Sequence, residues 1–168
     1  MLRAYAAVKR QEPQARIVLV GDGPLARQIA ADCPDAIRAG VQYGETLAAH
    51  YASADLFLFA SLSETFGNVT LEALASGLPV VAYDCGAASA YMPRGRAGLR
   101  IPPGDEEAFV AGACTLAGAR ERWPVLRAEA RACALHADWG DVLRAFERRL
   151  TQEIHARQNR LRGLALAP

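Results

Sequence analysis

Charge of one sign is what this chain most lacks: 19 Lys and Arg stand against 18 Asp and Glu, a net of +1. So even a balance makes no field for a polyanion, and nucleic acid is not an expected partner. Long apolar runs are missing too. None reaches the roughly 18 residues that cross a bilayer, and the start does not read as a secretory leader. The four cysteines, Cys33, Cys85, Cys114 and Cys133, form no Cys-x-x-Cys pair, which suits a reduced compartment better than a disulfide framework. Three scattered histidines, His50, His136 and His155, give no metal-site spacing. These absences lead to the expectation of a cytoplasmic, metal-independent protein. What is present is a hydrophobic fraction of 52% over 168 residues, with 22% charged, the balance of a globular domain with a sound core.

Apolar runs alternate with helical patterns along the whole chain. A helix is predicted over 2–11, a strand over 17–20, a helix over 24–32 with Pro24 in its first turn, and a strand over 37–41. A helix over 45–53 leads to a strand over 55–60, opened by Asp55 and expected at the centre of the sheet. A helix starts near Asn68, and strands follow over 80–83 and 98–101, separated by a loop over 84–96. Asp105 caps the next helix, with Glu106 and Glu107 in its first turn. Helical patterns cover 119–136 and then run from Asp138, where Val142, Phe146, Leu150 and Ile154 repeat every fourth residue among arginines that include Arg160 and Arg162. Alternation of this kind predicts an α/β fold, a Rossmann-like parallel sheet with helices on both faces.

The stretch over 61–81, Ser-Leu-Ser-Glu-Thr-Phe-Gly-Asn-Val-Thr-Leu-Glu-Ala-Leu-Ala-Ser-Gly-Leu-Pro-Val-Val, carries the chemistry. It reads as strand end, Gly-containing turn, helix and next strand. Glu64 falls in the loop at the strand's carboxyl end and Glu72 one turn into the helix. Ligands of open α/β sheets bind at that edge. The backbone N–H groups of residues 66 to 68, backed by the helix dipole, make a seat for a phosphate. Two acids beside an anion seat suit a sugar nucleotide, whose hydroxyls donate to carboxylates while the helix end holds the diphosphate.

With Gly21-Asp22-Gly23-Pro24 and Ala54-Asp55-Leu56-Phe57-Leu58-Phe59 in the same order, the string resembles the donor-binding half of the retaining GT-B glycosyltransferases of the GT4, or group 1, family. The resemblance covers roughly residues 1 to 150. It implies one half of a GT-B fold: a donor-binding domain over 1–137, a terminal amphipathic helix of the same domain over 138–162, and a tail over 163–168. It implies that Glu64 is the catalytic carboxylate and binds hydroxyls of the donor sugar. Thr65, Phe66, Gly67 and Asn68 touch sugar and phosphate, Glu72 accepts both ribose hydroxyls, and Gly21 and Gly23 bring backbone close to the nucleotide. The co-substrate is a UDP- or GDP-sugar and no other cofactor is expected. In the family a strand and a basic loop precede the first helix, and the loop gives an Arg and a Lys to the diphosphate. Nothing in Met1-Leu2-Arg3 matches that loop, and the acceptor-binding amino-terminal domain has no counterpart here. The expectation is therefore a fragment, inactive by itself.

Each feature also has a plainer use. Glu64 alone is a solvated loop acid, Glu72 a helix-surface acid, and Gly21 to Pro24 a strand-to-helix turn. Gly21, Gly23 and Ala26 also fit the looser dinucleotide fingerprint of a nicotinamide-dependent oxidoreductase, but the following strand ends at Val41-Gln42 without the acid that holds the adenosine ribose. A nucleotide-sugar-binding module without turnover and a sugar-nucleotide epimerase stand as further alternatives. Cys85 to Ala88 lies at a strand's carboxyl end where it can line the cleft, and an exposed cleft wall with apolar or glycine-rich surface is expected around Gly86 to Tyr91. Arg94, Arg96 and Arg100 read as surface charge or as a supplement to a phosphate site. The arginine-studded terminal helix reads as a solvated face, with contact to a membrane surface, at the inner face, as its alternative use.

Overall fold

The computed structural model describes residues 1–165. The chain forms two compact units, Met1–Leu135 and His136–Pro168. The first contains helix α1 (Leu2–Gln11), strand β1 (Val18–Val20), α2 (Ala26–Asp32), β2 (Ile37–Gly40), α3 (Gly44–Ser53) and β3 (Phe57–Phe59). It continues through α4 (Asn68–Ala75), β4 (Val80–Tyr83), α5 (Gly86–Tyr91), β5 (Gly98–Ile101), α6 (Glu106–Gly118), a 3-10 turn over Arg120–Arg122 and α7 (Trp123–Leu135). The described part of the second unit is one helix, α8 (Trp139–Ala165). Of the expected tail, 166–168 lies outside the described residues.

All strand pairs are parallel, as the alternation of elements demands. The expected continuous sheet, however, is two sheets: β1–β2, and β3–β4–β5. The strand expected at the centre is consequently an edge. β3 pairs with β4 on one side, Phe57 N–H donating to the Pro79 carbonyl, and no described strand pairs with the other side. The centre falls to β4, whose four residues are all buried, the pattern of a strand covered on both faces.

Alternation along β4 divides the core in two. Val81 and Tyr83 meet Ala4 and Val8 of α1 and Phe109, Ala113 and Leu116 of α6. Val80 and Ala82 meet Leu74 of α4, Met92, and Ala130 and Cys133 of α7. Burying a side chain such as Phe109 or Leu74 contributes roughly 1.5–3 kcal/mol. The β1–β2 half has a smaller core of Tyr5, Cys33 and Ala36 backed by Ile17 and Leu19. Other apolar side chains of its strands, Val18 at 44%, Val20 at 42% and Ile37 at 44% of full exposure, stay uncovered.

The local signals act where expected, with three exceptions. Asp105 caps α6, its Oδ1 accepting from Ala108 N–H at 2.9 Å. Pro24 sits in a turn before α2 rather than in its first turn, with Ala26 N–H bonded to the Gly23 carbonyl at 3.0 Å. Asp55 precedes β3 and pairs with Arg127 at 3.3 Å instead of opening the strand. The loop expected over 84–96 contains α5, five small residues followed by Tyr91, and their general lack of bulk hides the helix from an apolar-period reading. Ala87 and Ala88 are buried there while Ser89 and Ala90 are exposed and Gly86 and Tyr91 half-buried, so only part of Gly86 to Tyr91 forms the exposed wall expected.

In α8 the stripe of Val142, Phe146, Leu150 and Ile154 is 44–65% exposed, among exposed Arg148, Arg149 and Arg157. The side chains of Arg160 and Arg162 lie outside those described. No helix among the described residues is long and apolar enough to cross a membrane.

Candidate functional site

After β3 the chain turns outward through Ser61 to Gly67 and enters α4 at Asn68, the start the sequence predicts. Glu64, Thr65 and Phe66 are exposed while Gly67 is buried. Gly67 is the residue before the helix and has φ +87°, a left-handed conformation in which a Cβ is strained. No side chain caps α4. Thr70 N–H returns to the Gly67 carbonyl at 3.0 Å, and the first-turn donors of Asn68 and Val69 have no partner within the helix by its geometry. A bare, glycine-initiated helix end behind an exposed carboxylate can take an anion without a clash.

The loop is held in place by α5, a support the sequence reading missed. Ala87 N–H donates to the Phe66 carbonyl at 2.5 Å, and the Cys85 thiol lies 3.7 Å from the Ser61 carbonyl oxygen. Gly86 makes the approach possible: with φ +51°, a Cβ there would lie 2.5 Å from the Phe66 oxygen and 3.2 Å from the Glu64 Cβ. Phe66 meets the Tyr91 ring edge-on at 6.0 Å. Cys85 to Ala88 thus contacts the Glu64 loop, as its place at the end of β4 suggests. The available signal was Gly86, a glycine three residues after the end of β4.

Glu72 lies one turn into α4 with its side chain exposed. The Tyr51 hydroxyl of α3 donates to its Oε2 at 3.0 Å. Burial first, then the hydrogen bond and charge of Glu72, push the Tyr51 ionisation far above its ordinary range. The phenol therefore stays a donor across all neutral pH. It fixes one carboxylate oxygen and leaves the other as acceptor. Tyr51 stands 21 residues from Glu72, and nothing in the sequence joins them.

Gly21 and Gly23 form the turn after β1. Gly21 N–H donates to the Gly40 carbonyl at 2.7 Å and Gly23 N–H to Asp22 Oδ1 at 2.8 Å. A Cβ on either would meet nothing within 4 Å, so no packing inside the protein demands these glycines. Both line a cavity of about 1180 Å³ that Tyr51 and Val69 also line, and Glu64, Gly67 and Glu72 are not among its lining residues. The structure therefore forms three clusters: Glu64–Gly67 against α5, Glu72 with Tyr51, and Gly21–Gly23 at the cavity. Among the described residues no hydrogen bond joins one cluster to another.

The arginines considered as phosphate ligands are engaged within the protein. Arg94 and Arg100 pair with Asp84 at 3.0 and 3.5 Å, Arg100 also donates to the Ser89 carbonyl at 2.7 Å, and Arg96 pairs with Glu129 at 3.5 Å.

Comparison with known proteins places this arrangement. The profile of the family described as glycosyl transferases group 1 matches residues 1–118. The sulfoquinovosyl transferase of Arabidopsis thaliana is 37% identical over 144 residues, covering 82% of this chain and 28% of the plant protein. A GDP-mannose-dependent alpha-mannosyltransferase of Mycobacterium tuberculosis is 44% identical over 92 residues, 55% of this chain and 24% of that protein. The chain thus spans about a quarter of the length of these curated relatives. Among solved structures, the pneumococcal O-GlcNAc transferase in complex with UDP and GlcNAc superposes with a TM-score of 0.73 at 23% identity, over 92% of this chain and 32% of that one. A match over residues 1–118 leaves no room for the nicotinamide-dependent reading of Gly21 to Ala26. With parallel sheets flanked by helices and the Glu64–Glu72 unit at a strand's end, this chain is a member of the group 1 glycosyl transferases, built on the Rossmann-like half of a GT-B fold.

Proposed function

We propose that this chain is the donor-binding part of a retaining glycosyltransferase that takes a sugar from a nucleoside-diphosphate sugar. The observation that carries the reading is the uncapped start of α4 behind Gly67, flanked by the acids Glu64 and Glu72. In this reading the Asn68 and Val69 N–H groups and the helix dipole meet the diphosphate, so its charge is answered by protein groups rather than a metal. Glu64 accepts from hydroxyls of the donor sugar, with Thr65 and Phe66 beside it. Glu72 accepts from the ribose hydroxyls with the oxygen Tyr51 leaves free, and Gly21 and Gly23 admit the nucleotide to backbone. UDP and GDP are the nucleotides to try, since UDP occupies the pneumococcal structure and GDP-mannose is named for the mycobacterial relative.

Transfer needs an acceptor held against the donor, and that proximity is worth about 7–11 kcal/mol of barrier. The 168-residue chain is therefore proposed to bind donor without turnover. Calorimetric titration with UDP and GDP tests the binding. Glu72→Ala should weaken the favoured nucleotide by about 1–3 kcal/mol, and equal affinity for both proteins refutes the ribose role. Acceptor-dependent nucleotide release by this chain alone, at the rate of a full-length relative, refutes the half-site reading. The exposed apolar stripe of α8 with its arginines supports a second proposal, contact with a membrane surface. Co-sedimentation with anionic vesicles, lost on Phe146→Glu, checks it.

A further inference from the structure

We infer that Arg100, steadied by Asp84, is a positioning residue for Glu64: it fixes α5 on the sheet, and α5 fixes the loop that presents the carboxylate. The inference rests on the proposed role of Glu64 at the donor sugar. Helix α5 cannot fix itself. It has six residues, Gly86–Tyr91, with no side-chain cap at its start, and a helix of under roughly two turns does not persist without tertiary support. Its Ala87 N–H holds the Phe66 carbonyl at 2.5 Å, so the loop is only as well placed as the helix.

The support comes from β5. All four residues of that strand pair with β4. Its entrance is tied to α7, where Glu129 Oε2 accepts from Ala97 N–H at 3.1 Å and Oε1 pairs with Arg96 at 3.5 Å. Strand alternation turns Ile101, with Leu99 beside it, into the core around Phe109 and leaves Gly98 and Arg100 on the other face. There the Arg100 guanidinium meets α5, its Nη1 donating to the Ser89 carbonyl at 2.7 Å. That carbonyl belongs to the last turn of α5, where carbonyls lack helical partners and the dipole favours a cation. Asp84 follows β4 directly. Its Oδ1 lies 3.5 Å from Arg100 Nη1, and its Oδ2 accepts at 3.0 Å from Arg94, in the turn beyond α5. One carboxylate thus holds both the arginine that grips the helix and the chain that leaves it.

The energetics of the pair favour position over stability. The Arg100 and Asp84 side chains are only 14% and 18% exposed. Arg100 Nε and Asp84 Oδ1 are nevertheless buried without a hydrogen bond among the described residues, the 3.5 Å approach being an ion pair without hydrogen-bond geometry. Such a pair recovers little of its desolvation, and uncharged replacements of similar volume are often neutral or stabilising. A methionine at position 100 would cover the strand face as well. What it cannot do is donate to Ser89, so the charge serves the contact from strand to helix end.

The test compares the whole chain with Arg100→Met and with the double variant Arg100→Met, Asp84→Asn, which removes the partner charge as well. The thermal midpoint of the double variant should stay within a few degrees of the parent; a collapse would make the pair a stability element and overturn the inference. Without ligand, amide exchange at Ala87 should quicken by about fivefold in both variants while Val81 of β4 keeps its rate. Unchanged exchange at Ala87 overturns the inference. The second readout is the affinity gained from the sugar, UDP-glucose against UDP and GDP-mannose against GDP. The double variant should bind the bare nucleotide within about twofold of the parent and lose about threefold or more of that gain. Equal losses for nucleotide and nucleotide sugar would mark a merely structural residue and overturn the positioning role. Glu64→Gln keeps the two readings apart. A sugar gain untouched by that change refutes Glu64 as the sugar ligand, while exchange at Ala87 still decides whether Arg100 holds the loop.

Discussion

Two glycines at the site differ in what they tolerate, and the difference is measurable. At Gly67 an added Cβ would lie 3.5 Å from Glu64 Cγ, an ordinary contact, so Gly67→Ala should lose only the left-handed backbone cost of about 1–2 kcal/mol. At Gly86 the same conformation is joined by a 2.5 Å approach to the Phe66 carbonyl oxygen. That neighbour is backbone and cannot swing aside, so Gly86→Ala should cost more, and it should displace the Glu64 loop. Urea denaturation of the two variants checks the order. Tyr51 offers a second residue-level test. Its folded ionisation is raised, whereas in the unfolded chain it occurs near pH 10. The unfolded chain therefore releases this proton first, and the contribution of Tyr51 to stability is complete below about pH 10 and lost as pH rises beyond. Tyr51→Phe should flatten the fall in stability between pH 9 and 11. An unchanged slope removes Tyr51 as its source. The placement of Glu64, Gly67 and Glu72 around the start of α4 was legible in the sequence because the spacing and the glycine stand in one short string. Tyr51 and Gly86 were not, because their roles arise from contacts that only the folded chain makes.

At the scale of elements, caps and apolar runs identified nearly every helix and strand, while pairing was less visible. Asp105 read as a cap and is one; Asp105→Ala should cost about 1 kcal/mol in thermal or urea unfolding. The run Leu56-Phe57-Leu58-Phe59 read as a central strand because it is apolar on both faces, and both faces do pack against the core. Its edge position could not be seen, since composition reports how a strand's faces are covered and says nothing of who hydrogen-bonds to its sides. The same limit hid the division into two sheets. That division predicts uneven protection: amides of β1 and β2, over a core of three buried residues, should exchange well before those of β4. Equal protection in the two sheets would contradict it.

For the whole molecule, the buried core residues among those described all lie between Ala4 and Cys133. Ending the chain after Leu135 should therefore leave its thermal midpoint within about 4 °C, the shift that roughly 1 kcal/mol makes at this size. A larger drop would mean that α8 supports the fold. The unpaired cysteines have a consequence of another kind. Cys33 belongs to the small core of the β1–β2 half and Cys133 to the core under α4 and α7; burial above all pushes both thiols above their ordinary range. Neither is nucleophilic while its half is closed. Each half of this molecule thus carries its own chemical clock, and the order in which an alkylating reagent marks Cys33 and then Cys133 would record the order in which the halves open.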